Sequence, residues 1–81
     1  MKEGYSLIVE TQKDNYAVIK VSEDIFNKSK KLSSEASFDE LEKMLEESVL
    51  TDNIIATEMS AFQAASIAQG ISNDFYIIKS K

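Results

Sequence analysis

The sequence predicts a single α+β domain: a three-stranded antiparallel or mixed sheet in the order β-β-α-α-α-β, with helices packed on one face. Three observations predict it. Two alternating segments near the N-terminus read as a strand hairpin, Ser37–Val49 has an amphipathic helical period, and Phe75–Lys79 returns to strand-like composition. The chain has 81 residues, enough for one domain spanning 1–81 and too few for two. At 43% hydrophobic and 28% charged, its composition is that of a folded chain.

Tyr5, Leu7 and Val9 alternate with Ser6, Ile8 and Glu10, the pattern of a strand. Thr11 to Asn15 is polar, and Tyr16 to Val21 is rich in aromatic and β-branched residues. Together they predict an antiparallel hairpin. With no Gly between them, a four- or five-residue loop is expected rather than a two-residue turn. Ser22 can cap a first helix beginning at Glu23, and Glu23 and Asp24 suit the positive end of its dipole. That helix is expected to end near Leu32.

Ser37-Phe38-Asp39-Glu40 has capping-box spacing, with Phe38, Leu41, Met44, Leu45 and Val49 following at helical intervals. A third helix is predicted from about Ile54 to Gln69. Thr51, Asp52 or Asn53 would cap it and Gly70 would end it. Its polar residues form only a narrow stripe, so it should be buried on most sides. Ser72-Asn73-Asp74 is a turn before the last strand.

The missing residue types exclude much chemistry. The chain has no Cys, His, Trp, Pro or Arg; all nine basic residues are Lys. There is thus no thiolate, and no group that titrates near neutrality without a large shift. Only Gly4 and Gly70 are glycines, too far apart for a phosphate-cradling loop, and no serine-nucleophile motif occurs. The expectation is a non-catalytic protein with no cofactor and no metal. Lack of Arg and a net charge of −5 argue against direct nucleic-acid binding. No apolar run reaches the ~20 residues of a membrane span and no signal-peptide core follows Met1, so a cytoplasmic protein is expected. Lys without Arg also fits an AT-rich genome, such as that of a low-GC bacterium or its phage.

Two candidate interaction surfaces remain. Residues 33–60 carry a net charge of −7, against +1 for the segments on either side. Asp39, Glu42, Glu46 and Glu47 therefore form an acidic helix face that could dock on a basic protein. Lys43, four residues from both Asp39 and Glu47, equally fits an ordinary solvated face. The second surface is the sheet. If one face buries Leu7, Val9, Ile19, Val21 and Phe75, the other still carries Ile8, Tyr16, Val18, Tyr76 and Ile78. Contiguous apolar surface on a small domain marks an interface, unless helices wrap both faces. The leading expectation is a homodimeric, protein-binding accessory or inhibitory factor, of the kind phages and mobile elements encode. The alternative is an acidic DNA mimic that blocks a nucleic-acid-binding enzyme.

Overall fold

The computed structural model describes residues 3–48 and 53–79. Strands β1 (Tyr5–Gln12) and β2 (Asn15–Val21) form the expected antiparallel hairpin, with Ile8 opposite Val18 and Glu10 opposite Tyr16. Its turn is tighter than expected. Gln12 pairs with Asn15, leaving only Lys13 and Asp14 between the strands. Asp14 takes the left-handed backbone position at φ 64 that a glycine would otherwise fill, and a bulge between Glu10 and Gln12 adjusts the register.

Helix α1 (Glu23–Ser34) starts where predicted, with the Ile25 amide donating to Ser22 Oγ at 3.2 Å. It runs two residues beyond Leu32 and closes with Ala36 at φ 57, where Ser37 N–H reaches back to the Leu32 carbonyl at 2.9 Å. Helix α2 (Phe38–Ser48) follows directly.

The expected third helix is instead two elements. Ile54–Met59 is strand β3, paired antiparallel with β2, and helix α3 runs from Ala61 to Ile71. Ser60 divides them. Its hydroxyl accepts from the Gln63 amide at 3.2 Å, and Gln63 Oε1 accepts from the Ser60 amide at 3.3 Å, a complete capping box. Of the expected caps, Asn53 lies just before β3, whereas Thr51 and Asp52 fall outside the described residues. Gly70 does not end the helix. Ser72 does, donating both its N–H (3.0 Å) and its hydroxyl (2.6 Å) to the Ala68 carbonyl.

The last strand, β4 (Asp74–Ile78), runs parallel to β1. The sheet therefore has four strands, not three, is mixed, and follows the order β3-β2-β1-β4. This order dictates the layers. β3 and β4 occupy opposite edges, so α3, which joins them, must cross the sheet over β2 and β1. There Ala64 and Ala68 pack on Ile8, Tyr16 and Val18, and the small alanines bring the helix close to the strands. The α1–α2 pair packs on the other face, where Phe26 and Leu41 meet Leu7 and Ile78. Leu7 and Ile8 are neighbours in one strand and are both fully buried, so each sheet face carries core.

Two details tie the layers together. The Tyr5 and Phe26 rings lie 4.7 Å apart, with Lys30 Nζ 5.2 Å from the Phe26 centroid. On the α3 side, Lys20 Nζ donates to the carbonyls of Glu3 and Ile71, placing a cation at the negative end of α3. No helix among the described residues is long and apolar enough to cross a membrane.

Candidate functional site

The sheet residues proposed from sequence do not form one surface. Ile8, Tyr16 and Val18 share a face and are 0%, 5% and 0% exposed beneath α3. Tyr76 stands opposite Leu7 and Ile78 opposite Val9, so both belong to the α1–α2 side. Ile78 is also buried, while Tyr76 is half-buried with Lys30 Nζ 6.0 Å from its ring centroid. Phe75 lies with the α3 cluster rather than with Leu7. The physical reason is the pleat: the parallel register of β4 sets its parity, and a shift of one residue exchanges the faces. The apolar residues on both faces are explained by helices on both faces.

Tyr16 shows how closed the α3 face is. Burial holds its phenol above the usual value of 10.0, and a hydrogen bond to Glu10 and the negative charges of Glu10 and Asp14 push the same way. This is a packed tyrosine rather than one offered to a partner.

The acidic side chains of α2 are exposed. Asp39, Glu42, Glu46 and Glu47 all lie on the outward arc of α2, opposite the buried Leu41. Asp39 and Glu42 also border an open groove of about 650 Å³ between the first turns of α2 and the ends of β1 and β4. Val9, Phe38, Leu41 and Ile78 supply its apolar floor, and Glu10, Thr11 and Lys79 also border it. Glu46 and Glu47 lie outside it. A smaller recess of about 310 Å³ touches Lys20, Ser22 and Asn53, but the Lys20 ammonium is already held by backbone carbonyls. Among the described residues, no three of the acidic side chains cluster as metal ligands.

Compared with protein-family models, curated proteins and solved structures, the chain matches none. Its function must be read from its own surfaces.

Sequence reasoning missed three exposed apolar side chains. Among the described residues, Ile54 (40%), Ile55 (47%) and Phe62 (86%) are the most exposed large hydrophobics, and all lie on β3 or at the start of α3. The signal that could have found them is Ser60-Ala61-Phe62-Gln63. Its capping-box spacing starts a helix at Ala61 and separates Ile54–Met59 as an edge strand.

Proposed function

We propose that this chain is a small, non-catalytic protein-binding module that pairs with a second copy of itself and acts as an accessory or inhibitory factor. The observation that carries this reading is the exposed apolar set on the β3 side of the fold. Phe62 is 86% exposed, and Ile54 and Ile55 are about half exposed on an edge strand. β3 has no Lys, and its one charge is Glu58, near its end. β3 lies at an edge of the sheet, and an edge strand can pair with another chain. Self-pairing here keeps the acidic helices of two copies from being the contact, since like charges pressed together oppose binding.

Sedimentation equilibrium at micromolar concentration tests the reading. The wild type should sediment at twice the 9.1 kDa chain mass. Phe62→Ser combined with Ile55→Ser should sediment at the single-chain mass with an unchanged circular dichroism spectrum. A wild-type monomer throughout the concentration range refutes self-pairing. The DNA-mimic reading draws support from the exposed acids of α2. It requires a basic target whose binding is lost on Glu46→Lys with Glu47→Lys.

A further inference from the structure

The groove beside α2 sits where the helix changes character. Phe38, Leu41 and Glu42 are neighbours at three- and four-residue spacing, and Asp39 adjoins them. The seam between the apolar and acidic arcs of α2 therefore runs along the groove. Across from it, Val9 and Ile78 present the ends of β1 and β4. The rim carries Asp39 and Glu42 against the single cation of Lys79, a net charge of −1, while the Glu10 carboxylate is engaged by Tyr16 on the other face.

We infer that this groove binds a segment of another protein that combines Lys or Arg with a large apolar side chain. Charge and polarity together select that occupant. An apolar ligand alone would desolvate the carboxylates without pairing them, which is costly. A polyanion such as nucleic acid is repelled by the rim. A purely cationic ligand would leave the floor wet. A basic, apolar-anchored segment satisfies both halves: its hydrophobic side chain enters between Phe38 and Ile78, and its cation pairs with Asp39 and Glu42. Arg is the better cation, because its planar fork can bond a carboxylate bidentately. The volume falls within the range of about 300–1,000 Å³ typical of ligand-binding clefts. The site is separate from the β3 surface, so it stands whether or not the chain self-pairs.

The experiment uses the full chain and a panel of fluorescent peptides of about a dozen residues, each with Arg or Lys interleaved with Leu or Phe. Matched controls replace every Leu and Phe with Ser. Saturable anisotropy changes are expected for apolar-containing peptides, with binding roughly tenfold weaker for the Ser controls. Glu42→Lys, at an exposed position, and Val9→Thr, nearly isosteric, should each weaken binding about tenfold while the circular dichroism spectrum is unchanged. Amide shifts in nitrogen-15 spectra should map to Val9, Thr11, Phe38, Glu42 and Ile78. The inference is overturned if no panel member binds saturably, or if the Ser controls bind equally, which would mean charge alone. It is also overturned if the shifts fall on Glu46 and Glu47 or on Ile54, Ile55 and Phe62 instead.

Discussion

Ser29 and Ser72 are both buried, yet removing their hydroxyls should move stability in opposite directions. Ser29 is 0% exposed on α1, and its Oγ has no hydrogen-bond partner among the described residues. Leaving a buried hydroxyl unpaired costs about 1–3 kcal/mol. Ser29→Ala removes that cost and adds a few tenths of a kcal/mol of helix propensity. Against this stands a void of one oxygen atom, worth about 0.3 kcal/mol at about 24 cal/mol per Å³. The net gain is about 1–3 kcal/mol, and each kcal/mol raises Tm by about 4–8 °C in a domain this size. Ser72 differs because its hydroxyl donates to the Ala68 carbonyl at 2.6 Å. Ser72→Ala loses that bond but leaves the carbonyl with the Ser72 N–H at 3.0 Å, so the loss is about 0.5–1.5 kcal/mol. Urea unfolding followed by far-ultraviolet circular dichroism measures both variants. A lower midpoint for Ser29→Ala at unchanged m-value would show that its hydroxyl is satisfied in solution, and would refute the reasoning.

Two further predictions follow from the backbone and from Tyr16. Ala36 sits at φ 57 with no side-chain reason to prefer it, whereas Gly70 lies inside α3 with open space where a Cβ would go. Ala36→Gly and Gly70→Ala should each therefore raise stability by about 0.5–1 kcal/mol in thermal melts, and a loss in either would contradict the assigned backbone. For Tyr16, the folded pKa lies above the unfolded value of 10.0. The folded state thus holds the phenol proton more tightly. Its contribution to stability is complete below about pH 10 and is lost as pH rises through the folded pKa. The difference between near-ultraviolet absorbance titrations of the wild type and Tyr16→Phe should show Tyr16 ionising above pH 10; a difference centred at or below pH 10 would argue against a buried Tyr16.

The hairpin, α1 and α2 were legible because each carries local signals that agree: alternation in Tyr5–Glu10, a Ser cap before Glu23, and apolar spacing from Phe38. The absence of Gly points away from a two-residue loop, but Asp14 accepts the left-handed conformation at modest cost and the turn is tight. Ile54–Met59 reads as helix in the sequence because it runs without a break in polarity into the alanine-rich α3. A short apolar segment cannot be assigned to helix or strand by periodicity alone. The helix-favouring Ala56, Glu58 and Met59 outweighed the β-branched Ile54, Ile55 and Thr57.

The division of residues 54–71 into β3 and α3 also decides which apolar residues are exposed. With β3 read as helix, the sheet had three strands and its second face lacked a cover, which made its apolar residues look like an interface. Once β3 and β4 lie at opposite edges, the connection between them must cross the sheet, and α3 becomes the cover. The same correction creates the exposed surface it removes elsewhere: Ile54 and Ile55, assigned to a buried helix by their polarity, lie instead on an edge with one neighbouring strand. The acidic face was legible because charge on an outward helical arc depends only on α2's own period. The groove was not, because Val9 and Ile78 meet Phe38 and Leu41 only through the parallel pairing of β4 with β1, a contact across sixty-nine residues that no local pattern encodes.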